Sequence, residues 1–500
     1  MNYRVWARQT GAWLAVLLLV GCNAGPDFTP PSEPAQTAYD SAGAPKLAPV
    51  AGESAQSLAV GEKISGDWWS LYHSPALDRL LQDAIAGNKD LEAARAHLAS
   101  SLEAANAARG GLYPRLDAAA SATRERISYA AFGLAQPPAT FNVLSVGPTV
   151  SYSLDLFGKN RRLVEQQEAL AERQRYELDA VYLALTGNAV SQALTIASLQ
   201  AQLKAADDII AEDRNLLALV GKQVTAGAAT NLDLESARSQ LASDRTLLPP
   251  LQQQANVARH ALAILVGRAP ADFVAPDFTL DSLVLPKDLP VSLPSALVHQ
   301  RPDILSAESE LHAASAAVGV ATAQLYPDIN LTAAISQTAL TAGMLGSPAS
   351  NVWNIGAGLA LPLFHGGALQ AQKREAEDEF TASAANYQQT VLRSFAQVAD
   401  VLDALASDAD LLGAERAALQ SAQSSLDLTR KSYAAGDGTL LQVLDAERLY
   451  QRARLGYVRA QTQRYLDTAQ LFLAMGGGWW DQPGLGSPDK ESAAVKPPAP

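Results

Sequence analysis

Apolar side chains recur every seven residues through two long stretches of this chain. Ala189, Ile196, Leu203, Ile210, Leu217 and Val224 make the first series, and Val391, Val398, Leu405, Leu412, Leu419, Leu426 and Tyr433 the second. Leu185, Leu199 and Val220 interleave with the first and complete a 3,4 alternation, which is the seam of a coiled coil. Ile209 and Leu216 widen the stripe, so the helix has apolar surface for neighbours on two sides. No proline interrupts about 159–225 or about 368–435. At 1.5 Å per residue each helix spans roughly 100 Å. Each ends at a glycine, Gly227 or Gly436, suited to a left-handed C-cap. Thr439 with Gln442 then forms a capping box, and Thr230 with Asp233 a looser one. The pattern predicts two helical hairpins, 159–266 and 366–476, with tips near 227–231 and 436–440.

The partner helices come in pieces. Residues 88–111 with 230–266, and 302–325 with 439–475, each supply about as many helical residues as one long helix. Between short and long helices lie four stretches of period two, at about 113–127, 142–157, 326–340 and 351–364. In one, Ile329, Leu331, Ala333 and Ile335 alternate with Asn330, Thr332 and Ser336. Such alternation predicts strands with two unlike faces. Pro148 is ill-placed inside the second. A tilted strand of about 9–11 residues crosses a bilayer. Four strands cannot close a barrel, and open edges in lipid leave backbone groups unsatisfied. Closure therefore calls for several copies, and three would give twelve strands around a lumen.

The body is duplicated. Leu112-Tyr113-Pro114 recurs as Leu325-Tyr326-Pro327, and Ala226-Gly227 with Thr230 and Leu232 recurs as Ala435-Gly436 with Thr439 and Leu441. The first heptad series shifted by 209 residues falls on the second. The expected organisation is a first repeat at 66–290 and a second at 291–478. They are flanked by an extended arm at 22–65 and a disordered tail at 479–500, both rich in proline and small residues.

Composition narrows the class. Of 500 residues 48% are hydrophobic and 18% charged, and the net charge of −13 argues against a nucleic-acid partner. Arg4 and Arg8, the apolar run Ala12–Val20 and Leu19-Val20-Gly21-Cys22 read as a lipoprotein signal over 1–21. Cys22, the one cysteine, then becomes the acylated mature N-terminus, followed by Asn23 rather than Asp. No run of about 18 apolar residues follows it, so any membrane crossing is expected from strands. The six histidines are scattered, and no catalytic constellation or phosphate loop has supporting context. The expectation is no enzyme, no metal and no cofactor beyond the lipid on Cys22. Three methionines offer little soft-ligand capacity for a copper or silver exporter.

Further markers are Gly25-Pro26-Asp27-Phe28, Asp67-Trp68-Trp69, Tyr152-Ser153-Leu154-Asp155-Leu156-Phe157-Gly158, Arg301-Pro302-Asp303-Ile304 and Leu361-Pro362-Leu363-Phe364. In this order and spacing the chain resembles the TolC-like outer-membrane efflux proteins, in particular their lipoprotein (NodT-type, OprM-like) branch. The resemblance runs from Cys22 to about Gly478. It implies a mainly α fold with a membrane β-barrel. The protein would be a homotrimer with a twelve-strand barrel, an α-helical barrel and a mixed equatorial belt. A periplasmic adaptor and an inner-membrane pump of the resistance-nodulation-division type would be its partners, and outer-membrane lipid its surroundings. It further implies a periplasmic gate at Leu441 and Asp445, braced by Tyr433 and Arg448. Adaptor docking would fall at the tips, around Gly227, Thr230, Gly436 and Thr439. From spacing alone Asp445 and Arg448 are an ordinary exposed helix pair. An exit duct for type I protein secretion is the alternative, followed by a lipid-anchored periplasmic coiled-coil tether.

Overall fold

The computed structural model describes residues 23–41, 43, 45–49 and 55–481; Cys22, the leader and the chain from 482 onward lie outside the described residues. Two compact units form. One holds 23–31, 97–174 and 306–388; the other holds 32–96, 175–305 and the chain from 389. Each unit draws residues from both sequence repeats. The repeats therefore interleave in space.

The first unit carries a four-stranded antiparallel sheet. Its strands are β2 (Arg115–Ile127), β3 (Ala139–Leu154), β5 (Asp328–Ala339) and β6 (Asn351–Ala360), in the order β2-β3-β5-β6. Residues directly opposite share a face. Leu116, Val150, Ala333 and Ile355 form one such row, and Leu154, Ile329 and Leu359 another. The alternate rows are small and polar: Ser151, Thr332 and Gly356, or Ser153, Asn330 and Gly358. The apolar face is open, with Trp353, Ile355 and Leu359 each at least 68% exposed. Pro148 is accommodated rather than excluded. It lies opposite Ala118 on β2, while toward β5 the ladder omits positions 147 and 148 and resumes in the same register. Proline has no N–H to give there. Gly147 lets the backbones close in, because a Cβ at that point would lie 2.1 Å from the Ile335 carbonyl oxygen.

The second unit is helical. It contains α1 (Pro75–Gly87), α4 (Asn231–Arg245), α5 (Leu248–Leu265) and α8 (Leu440–Ala474). It shares α2 (Lys89–Gly110), α3 (Lys159–Thr225), α6 (Pro302–Ala323) and α7 (Ala368–Ala435) with the first unit. The stretch 230–266, expected as one helix, breaks after Arg245 because Pro249 and Pro250 cannot continue the hydrogen-bond ladder of the turn before them. An 18-residue window of α3 is apolar enough to cross a membrane, contrary to the sequence expectation. However, 56% of that window is buried in the protein, so its apolarity serves helix packing.

Trp68, Tyr72 and Phe472 fill the core of this unit, with the Trp68 and Phe472 rings 5.4 Å apart. Arg301 grips Asp303 through two nitrogens and donates to the Ala474 carbonyl at 2.8 Å, joining the start of α6 to the end of α8. The flanks hold more order than expected. Ser57–Val60 of the arm forms β1, parallel to β4 (Asp288–Val291), with Ser57 Oγ bonded to Asp288 Oδ1 at 2.9 Å. Trp479, assigned to the disordered tail, is buried and donates Nε1–H to the Gln300 carbonyl at 2.7 Å, because an indole this large is held by the core it fills.

Candidate functional site

The ends of α3, α4, α7 and α8 meet in the second unit. Val220, Ala237, Leu440 and Leu444 form a buried cluster, with Leu216, Leu217, Val224, Leu234 and Tyr433 packed around it. The last heptad positions of α3 and α7 thus close on the first turns of α4 and α8. Gly227 (φ 75°) and Gly436 (φ 86°) both take the left-handed conformation that ends the long helices. In each, the next N–H reaches back five residues: Ala228 to the Gln223 carbonyl at 2.7 Å, and Asp437 to that of Ser432 at 3.0 Å. Both capping boxes are closed. Thr230 N–H donates to Asp233 Oδ2 at 2.8 Å, and Thr439 N–H to Gln442 Oε1 at 2.9 Å. The hydrogen bond from the Thr230 side chain, and then that from its backbone, holds the Asp233 carboxyl below its ordinary value.

The four gate candidates divide. Leu441 is 65% exposed, and its first-repeat counterpart Leu232 is 76% exposed. Asp445 and Arg448 form a long contact of 3.5 Å between exposed side chains, and Arg448 Nε also donates to Gln240 Oε1 at 3.0 Å. Tyr433 lies partly buried and donates its hydroxyl hydrogen to Gln223 Oε1 at 2.6 Å. Burial, and secondarily the charge of Asp233, raises its pKa. Tyr433 and Arg448 therefore tie the second hairpin to the first, while Leu441 and Asp445 face away from the packing.

Sequence reasoning missed a polar layer beside them. Arg430 Nη2 bridges Glu212 at 2.7 Å and the buried Glu447 at 2.9 Å. Asp244 Oδ2 accepts from Gln240 at 2.8 Å and from Gln451 at 2.7 Å. Burial first, then hydrogen bonding with Asp244 and the charges of Asp244, Glu447 and Glu212, push the Asp213 carboxyl up to about 8. Burial likewise raises Glu447, against the pull of Arg430. A signal for Asp213 was present, since it stands seven residues before Val220 and fourteen after Leu199, a charge on the apolar seam. Glu447 follows Leu440 and Leu444 on the buried face of α8. Among the described residues no group of His, Cys, Asp and Glu is arranged to hold a metal. Cys22, the lipidation candidate, lies outside them.

An open-edged sheet with one apolar face, together with paired helical hairpins of about 100 Å, defines a protein that builds a membrane conduit. The chain belongs to the outer membrane efflux protein family, whose model matches residues 80–268 and 293–477. It is 31% identical over 441 residues to the pyoverdine export outer membrane protein OpmQ of Pseudomonas aeruginosa, covering 86% of this chain and 92% of that one. It is 30% identical over 465 residues to the cation efflux system protein CusC of Escherichia coli, covering 93% and 97%. The structure of the outer-membrane channel OprN superposes with a TM-score of 0.83 at 26% identity, covering 92% of this chain and all of that one. The protein is an outer-membrane exit duct for efflux and not an enzyme.

Proposed function

We propose that three copies assemble into the duct, each lending its four strands to a twelve-strand barrel and its two helical hairpins to a periplasmic channel. The observation that carries this reading is the sheet itself. Among the described residues its edge strands β2 and β6 each pair on one side only, and its apolar face is open. In lipid such edges pair with the next copy, and twelve strands leave a lumen where eight would be filled by side chains. Leu441 and Asp445 then come together around the threefold axis. The three leucines form an apolar constriction and the three carboxylates an acidic ring. Tyr433 and Arg448 hold the inner hairpin against the outer one, and so hold the aperture shut. The tips at Gly227, Thr230, Gly436 and Thr439 receive a periplasmic adaptor, which couples the duct to an inner-membrane pump. Acyl chains on Cys22 anchor the chain to the outer membrane. The cargo is small molecules and is chosen by the pump, since a lumen faced by Ser, Thr, Asn and Gly offers no specific binding chemistry.

The test is single-channel conductance in a planar bilayer, comparing the parent with Leu441→Ala/Asp445→Ala. A small conductance that rises several-fold in the variant supports both pore and gate. A large conductance already in the parent removes the gate, and none from either folded protein removes the barrel.

A further inference from the structure

The residues that follow Cys22 occupy a formed site in the first unit. Asn23 packs on Gly158, where a Cβ would lie 2.4 Å from Asn23 Oδ1. Ala24 N–H donates to the Phe157 carbonyl at 3.0 Å. Gly25 (φ 86°) lies against Gly319, and a Cβ on it would approach Gly319 Cα to 2.5 Å. Phe28 stacks on His312 with ring centroids 4.4 Å apart.

Arg162 organises this seat. Its side chain is only 3% exposed, yet it reaches the segment twice: Nε to the Ala24 carbonyl at 3.3 Å and Nη2 to Asp27 Oδ1 at 2.6 Å. Nη1 is held by Glu165 Oε2 at 2.7 Å. The other oxygen of Glu165 faces His312 Nε2 at 3.1 Å, so the stacking partner of Phe28 belongs to the same network. A guanidinium this enclosed has a fixed fork, and a free flexible terminus has no use for it. The segment meets the fork with one carbonyl and one carboxylate, and meets the glycines with no side chain at Gly25.

We propose that this cluster is the seat of the lipid anchor, a site on the protein for its own Asn23–Phe28 segment. Cys22 is one peptide bond upstream, and consecutive Cα atoms are about 3.8 Å apart. The seat therefore holds Asn23 and Ala24, the first residues after the acylation candidate, at the turn where β3 passes into α3. The segment that carries the lipid is then held against the protein and is not a loose arm. This rests on acylation of Cys22 for the identity of what is held, but not for the seat.

The test uses the full mature protein in vesicles of phosphatidylethanolamine and phosphatidylglycerol, with a nitroxide on Thr29→Cys, an exposed position beside the seat. The label is expected to be immobile in the parent and several-fold faster in Arg162→Ala. Gly25→Ala is expected to release it equally, because its Cβ would meet Gly319 Cα at 2.5 Å and the segment must lift off the helix, while Arg162 stays in place. Membrane retention is expected to stay unchanged in both, because the lipid still holds. The same label on unacylated Cys22→Ser protein should remain immobile. Mobility in the parent or in Cys22→Ser, or immobility in both seat variants, overturns the proposal. The mass of the N-terminal peptide decides acylation separately, so an unmodified Cys22 removes the lipid and leaves the seat standing.

Discussion

The Tyr433 hydroxyl donates to Gln223 Oε1 at 2.6 Å, joining the last turn of α7 to the last turn of α3. Tyr433 packs on an apolar cluster against which Val224, the residue after Gln223, also packs, so the bond lies at the edge of packed helix ends. Replacing Tyr433 with Phe keeps the ring and removes the bond. The expected loss is about 1 kcal/mol, the usual net worth of one such hydrogen bond. Because the bond links the two hairpins, conductance should rise while the thermal midpoint falls only slightly. An unchanged conductance would show that the bond is only structural.

Gly436 gives a second prediction. A Cβ there meets no atom within 4 Å, so only the φ of 86° opposes substitution. Gly436→Ala should cost about 1–2 kcal/mol through backbone strain alone. Gly436→Asn should recover part of it, because asparagine tolerates the left-handed region. Thermal unfolding of the three proteins orders them; equal midpoints would deny the strain.

Protons should act on the layer between the hairpins. The carboxyl of Asp213 is raised to about 8, chiefly by burial. Unfolded, it ionises near 3.9. Between these values the folded protein holds a proton that the unfolded chain has released. The contribution is full below about 4 and is lost as pH rises toward 8. Asp213→Asn should therefore flatten the pH dependence of stability, and gain on the parent at pH 8 but not at pH 4. Denaturant midpoints across that range measure it. A parallel shift at every pH would place the titration elsewhere.

The sheet makes a position-specific claim. Ile355 lies on the apolar face, while Asn354 lies on the other, opposite Ala334. A lysine at Ile355 should cost about 2–4 kcal/mol at the bilayer midplane, and one at Asn354 close to nothing. Outer-membrane yield of folded assembly distinguishes them, and equal yields would mean that neither face meets lipid.

Heptad spacing, capping residues and strand alternation made the fold class legible, because each is a local property of one segment. The seam from Ala189 to Val224 and the boxes at Thr230 and Thr439 are visible in order along the chain. The polar layer was harder to see. Asp213 interrupts the seam in plain view, but Asp244 and Glu447, which act on it, come from α4 and α8. A charge on a seam can be an error, a surface position or a buried pair, and only the helices that pack on it decide. The arm was misjudged for a related reason. Its proline-rich composition hides a strand whose partner, Asp288–Val291, lies more than two hundred residues away.

The sequence by itself determined the two long helices and the four strands of the sheet, since propensity, periodicity and caps act over a few turns of chain. Only the tertiary structure decided which side chains meet. It set Tyr433 against Gln223, closed Arg430 between Glu212 and Glu447, and brought Asp27 to Arg162 across 135 positions. Such pairings depend on the register of packed helices and on burial that strips water from charges, and no local rule of the chain contains either.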